Sequence, residues 1–221
     1  MDGTLYDARQ LRGAMARRLA LDALRARSLR TLWILKVFRQ VREELAEEGT
    51  AGFLEAQYAR TAQRAGCGEA QVRALVHEWM ERRPLPLLRA CRLPHVEQVF
   101  EGLRAAGKRI AALSDYPARD KLGALGLRVD LAVSACDPGI SRLKPDPRGL
   151  QALLQLSGVP ASRALVIGAS GGIGQALVQA LRADPRCAEV HACARGQPLA
   201  WDLRDEASIA ALAVQLQAQL P

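Results

Sequence analysis

Arg109-Ile110-Ala111-Ala112-Leu113-Ser114-Asp115 is a short apolar run that ends in two polar residues. Unbroken hydrophobicity over so few residues is the profile of a strand covered on both faces, as in a parallel sheet. The profile returns at Leu131-Ala132-Val133-Ser134, at Ala164-Leu165-Val166-Ile167-Gly168 and from Glu189 to Cys193. Helical patterns run over 118–125, 147–156, 173–182 and 206–220, and Val96 to Ala106, closed by Gly107, precedes the first strand. Strands alternating with helices imply a parallel sheet with right-handed crossovers. Ligands of such sheets bind at the carboxyl ends of the strands. Ser114, Lys144 and Gly168 fall there.

Upstream, the pattern is helical only. From about Leu11 to Trp79 apolar residues recur at spacings of two to five, giving helices with a broad apolar face. Gly49-Thr50-Ala51-Gly52 breaks the pattern. A helix from Phe53 to about Ala65 follows, Gly66-Cys67-Gly68 ends it, and a further helix runs from Glu69 to Arg82. Pro84 and Pro86 mark a boundary. The expected fold is α/β: a Rossmann-like, parallel, three-layer core at 1–8 and 89–167, with a helical block inserted at 9–88.

The 221 residues are 49% hydrophobic and 24% charged, a balance that allows a buried core. No apolar run reaches the roughly 18 residues that span a bilayer. The acidic, glycine-containing start is unlike a signal peptide. The expected compartment is therefore the cytoplasm, with no membrane partner. Cys67, Cys91, Cys136, Cys187 and Cys193 show no C-x-x-C spacing, which argues against a zinc or redox site. The net charge is +8, and between Arg9 and Arg42 ten basic residues accompany one acid, Asp22. The basic residues interleave with Trp33, Ile34, Val37 and Phe38 at helical spacing and come without a nucleic-acid motif. A solvated helix face explains them better than a nucleic-acid surface, and a basic face beside an anionic substrate is a second use.

Met1-Asp2-Gly3-Thr4-Leu5-Tyr6-Asp7 resembles motif I, D-x-D-G-T, of the haloacid dehalogenase-like hydrolases. Leu113-Ser114-Asp115-Tyr116 is similar to their motif II, and Lys144-Pro145-Asp146-Pro147 to motif III. The block at 9–88 sits where these enzymes carry a helical cap, so the resemblance covers residues 1 to about 167. It implies phosphatase-type chemistry, in which one Asp attacks phosphorus to form an aspartyl-phosphate. A second Asp, two residues later, protonates the leaving group and then activates water. Asp2 matches the second Asp and also a metal contact, through its carbonyl, for the implied Mg2+. Ser114, with Asp115 beside it, matches the phosphate-holding position, and Lys144 the cation that offsets charge on nucleophile and phosphate. The implied partner is a small phosphorylated substrate.

Two expected features are not in this sequence. The nucleophilic Asp, and the first core strand that carries it, would precede Met1. The acids of motif IV should follow the strand at 164–167, but Gly168-Ala169-Ser170-Gly171-Gly172-Ile173-Gly174 stands there, with no acid before Asp184. Turnover by this chain is therefore not expected. With the first core strand missing, the strands at 109–113 and 164–168 would lack a shared neighbour, an open edge that favours self-association.

Residues 164–174 also resemble the cofactor fingerprint of short-chain dehydrogenases, where glycines and a helix N-terminus receive a pyrophosphate. Arg195 stands where that family often places a cation for the 2′-phosphate of NADP, and Asp202 in a segment like its adenine contact. The implied cofactor-binding residues are Gly168, Ser170, Gly172, Ile173, Gly174, Arg195 and Asp202, with a dinucleotide as partner and 163–221 as a βαβ segment completing the sheet. No Tyr follows Tyr116, so the Tyr-x-x-x-Lys of that family's hydride chemistry is not present. Three readings stay open here: a phosphatase-type hydrolase with an incomplete site, an NADP-binding dehydrogenase fragment, and a fused product without activity.

Overall fold

The computed structural model describes residues 3–144, 146–160, 165–167 and 191–193, together with Ala207, Ala211 and Val214. Five helices come first: α1 (Ala8–Ala26), α2 (Arg30–Glu47), α3 (Phe53–Ala65), α4 (Glu69–Val76) and α5 (Leu85–Cys91). A π-helical turn, His77–Arg82, continues α4. Then α6 (Val96–Ala105), β1 (Ala111–Ser114), α7 (Arg119–Leu125), β2 (Leu131–Ser134) and α8 (Arg148–Ser157) alternate, followed by β3 (Leu165–Ile167) and β4 (His191–Cys193). This is the expected α/β architecture.

α1 begins at Asp7, whose carboxylate accepts from the backbone N–H of Arg9 at 2.7 Å and Gln10 at 3.1 Å. The donors at Gln10 and Arg9 hold this carboxyl below its ordinary range. The helical stretch expected to run from Leu11 to Gly49 is in fact two helices. Arg27 adopts a left-handed conformation, φ 48°, and its N–H closes α1 on Ala23 and Leu24 carbonyls. Ser28 Oγ then accepts from Arg30 N at 3.2 Å, which starts α2. The turn uses no Gly or Pro, so periodicity does not show it. Pro84 and Pro86, where a boundary is expected, sit at the start of α5, where a missing N–H breaks no helical bond.

The ends of the helical block are joined. Asp7 N donates to the Cys91 carbonyl at 2.8 Å, and Leu93 N to the Leu5 carbonyl at 3.1 Å. Tyr6 and Arg92 form an antiparallel bridge. One core then runs from the helices into the sheet layer, through Tyr6, Ile34, Phe38, Trp79, Leu88 and Leu125. Each such side chain contributes roughly 1.5–3 kcal/mol on burial. A second cluster packs Val41, Leu45 and Phe53 against Ala135 and Leu143, which seats the end of α2 on the loops that follow β2.

β1 and β2 pair in parallel, from Ala111 opposite Leu131 to Ser114 opposite Ser134. β3 and β4 also pair in parallel. Among the described residues these are two separate two-stranded sheets, and no described strand pairs with both β1 and β3. Also among them, no helix is long and apolar enough to cross a membrane.

α8 packs on β1 at Gly149, where an added Cβ would lie 2.7 Å from Leu113 Cδ1. Overpacking costs roughly 1–3 kcal/mol, and the better helix propensity of Ala returns about 1 kcal/mol. Gly149→Ala should therefore lower stability by about 1 kcal/mol in urea unfolding, whereas the same change at exposed Gly13 of α1, which meets nothing within 4 Å, should raise it.

Candidate functional site

β1 and β2 end level with each other at Ser114 and Ser134, both buried. Each hydroxyl turns onto the loop that leaves its strand. Ser114 Oγ accepts from Tyr116 N at 3.3 Å, and Ser134 Oγ from Cys136 N at 2.9 Å. Asp137 closes the second loop by accepting from Ser134 N at 2.8 Å. These local bonds compete with further extension of the strands. They leave a shelf of small polar groups at the carboxyl end of the sheet.

Asp115 ties this shelf to the loop ahead of α8. One carboxylate oxygen accepts from Lys144 N at 3.1 Å, and the other lies 3.5 Å from Lys144 Nζ. Both side chains are mostly buried. A pair shielded in this way is weakly screened by salt and holds its geometry better than a surface pair. The ammonium is thereby kept beside the end of β1.

A third group comes from the helical block. Arg42 of α2 is only 6% exposed. Its guanidinium donates to the Asp115 carbonyl and, at 2.9 Å, to Gln57 Oε1. It also lies over the rings of Tyr116, at 3.9 Å, and Phe53, at 5.0 Å. Gln57 is in turn fixed by donating to the Phe38 carbonyl at 2.8 Å. A second arginine closes the contact from the other side: Arg142 donates to the Gly49 carbonyl, and Gly52 N to the Ser141 carbonyl at 3.1 Å. The helices therefore grip both loops of the shelf. A cleft of about 310 Å³, lined in part by Leu45, Glu47, Arg142 and Asp146, opens beside this second contact.

Ser114, Asp115 and Lys144 are thus brought to one end of the sheet. Asp2 lies outside the described residues, as do Gly168, Ser170, Gly172, Ile173, Gly174, Arg195 and Asp202. The sequence places Arg42 among the solvated arginines of the helix face, and the structure buries it. Its spacing from Phe38 and Leu45, four and three residues, is the available signal that it points inward.

The family model for haloacid dehalogenase-like hydrolases matches residues 1–180. The chain belongs to this family of hydrolases. The match runs past residue 167, the expected limit of the resemblance, and takes in the glycine stretch 168–174. A search among curated proteins finds no match.

Hydrolases of this family generally depend on Mg2+. Among the described residues of this hydrolase, no three of His, Cys, Asp and Glu come together as a metal-binding set. Of the two carboxylates at the shelf, Asp115 is engaged by the Lys144 ammonium, a partner that a divalent cation would have to displace, and Asp137 accepts from Ser134 N. The described residues therefore do not fit a magnesium site.

Proposed function

We propose that the chain is a phosphatase-type hydrolase of a small phosphorylated substrate, with 1–8 and 89–167 as core and 9–88 as cap. The observation that carries this reading is the Asp115–Lys144 link, which holds a partly desolvated ammonium at the strand end beside Ser114. A phosphate there would accept from the Ser114 hydroxyl, once that turns from Tyr116 N, and from Lys144 Nζ. Such charge-assisted bonds are the strong ones, and they act where charge builds on the transferring phosphoryl group. Asp2 is assigned the acid/base role by resemblance. We expect the protein to work in the cytoplasm.

Residues 168–183, where the resemblance puts the acids of motif IV, hold no carboxylate. Binding with little or no turnover is therefore expected of this sequence. With an aryl phosphate and Mg2+, phosphate release should not exceed that of the Lys144→Met variant. Release that disappears in Asp2→Asn would show a working site and overturn the inactive reading.

The dehydrogenase-like reading of 163–221 is compatible with the parallel pairing of β3 and β4 on either side of the glycine stretch. A hydrolase sheet uses the same pairing. An NADP-induced rise in melting temperature that Arg195→Ala abolishes would favour the dinucleotide reading. Silence in every one of these assays would favour a fused product without activity.

A further inference from the structure

α1 and α2 form a hairpin that turns at Arg27–Leu29, and residues 24–30 are all exposed. Leu24 is 74% exposed and Leu29 70%. Leu21, three residues before Leu24, and Trp33, four after Leu29, are about half exposed. Each pair shares a helix face, so four large apolar side chains gather at the hairpin end. The core does not use them: α1 buries Leu11, Met15 and Ala23, and α2 buries residues from Ile34 onward. Arg25, Arg27 and Arg30 stand exposed among them, with Arg17 and Arg18 one to two turns back. The one acid of the stretch, Asp22, is half buried.

Charge decides what can cover this tip. A second copy would set one cluster of arginines against another. An anionic bilayer meets both parts of the pattern. Leu and Trp side chains enter the boundary between headgroups and acyl chains, and guanidinium groups pair with lipid phosphates. We propose that the α1–α2 tip docks on an anionic bilayer surface, with Leu24 and Leu29 inserted and Arg25, Arg27 and Arg30 at the headgroups. The sequence pointed to no membrane partner because no stretch spans a bilayer; surface docking needs none.

Co-sedimentation of the full chain with vesicles tests this. The chain should bind phosphatidylcholine vesicles that contain phosphatidylserine and should not bind pure phosphatidylcholine. Arg25→Gln with Arg27→Gln should weaken binding about 25-fold, from two surface charges. Arg30 stays in place because it also donates to the Gly66 carbonyl at 2.8 Å. Leu24→Ser with Leu29→Ser should weaken binding at least about tenfold, with helical circular dichroism unchanged because both side chains are outside the core. No binding to the anionic vesicles, or equal binding by the leucine variant, overturns the proposal. So does a concentration-dependent dimer that the leucine variant abolishes, which would assign the tip to a second copy. Binding to polyglutamate in place of vesicles would assign it to an acidic protein and overturn the proposal as well.

Discussion

Arg42→Ala should destabilise the chain by about 3–4 kcal/mol, the largest effect expected of any single substitution considered. The guanidinium satisfies Gln57 Oε1 and the Asp115 carbonyl in a place that water does not reach freely. Each acceptor left without a donor costs roughly 1–3 kcal/mol. The lost volume between Phe53 and Tyr116 and the lost ring contacts add to this. Relief from holding a charge in the interior offsets part of the sum. Arg42→Lys keeps the charge but cannot fork to two oxygens while lying flat on a ring, so it should lose about half as much. Urea unfolding checks both values. If Arg42→Ala changes stability by less than about 1 kcal/mol, the arginine does not clamp the helices to the Ser114–Tyr116 loop.

The second large effect is on phosphate affinity. Lys144→Met should weaken binding of inorganic phosphate about 30-fold, the loss of one charge-assisted hydrogen bond of about 2 kcal/mol. Asp115→Asn should act in the opposite direction. Its amide oxygen can still accept from Lys144 N and hold the loop, while the negative charge that competes with phosphate for the ammonium is gone. Affinity should rise about fivefold. Asp115→Ala removes the loop bond as well and should forfeit that gain. Isothermal titration with phosphate separates the three. Weaker binding in Asp115→Asn than in the parent would mean that Asp115 itself belongs to the phosphate contacts.

Much of the architecture was legible because the chain punctuates it. The strand expected at 131–134 is β2, Leu131–Ser134, and the helix expected from Phe53 to Ala65 is α3, bounded by Gly52 and Gly66 in left-handed conformations. Where punctuation is of another kind, the sequence misleads. The α1–α2 turn is made by Arg27 and Ser28, with no Gly or Pro to interrupt the helical pattern. The strand expected from Arg109 begins at Ala111; Ile110, just ahead of it, gives its N–H to the Asp130 carboxylate at 2.6 Å while its carbonyl accepts from Asp130 N at 2.8 Å.

At the site, Ser114 and Lys144 were legible only as members of an ordered set of motifs. Thirty residues separate them, and nothing in either segment alone says that they meet. Asp115 as the bridge between the loops, and Arg42 as the clamp from above, depend on tertiary contacts. Arg42 was further masked by its setting, since ten basic residues between Arg9 and Arg42 read as one charged face.

Backbone amide shifts during a titration with inorganic phosphate test the central claim most directly. The account predicts that the amides of Ser114, Asp115, Tyr116 and Lys144 move together with one dissociation constant, and that they stay still in Lys144→Met. Shifts confined to the arginines of the α1–α2 tip, or to residues 168–174, with Ser114 and Lys144 unmoved, would contradict it.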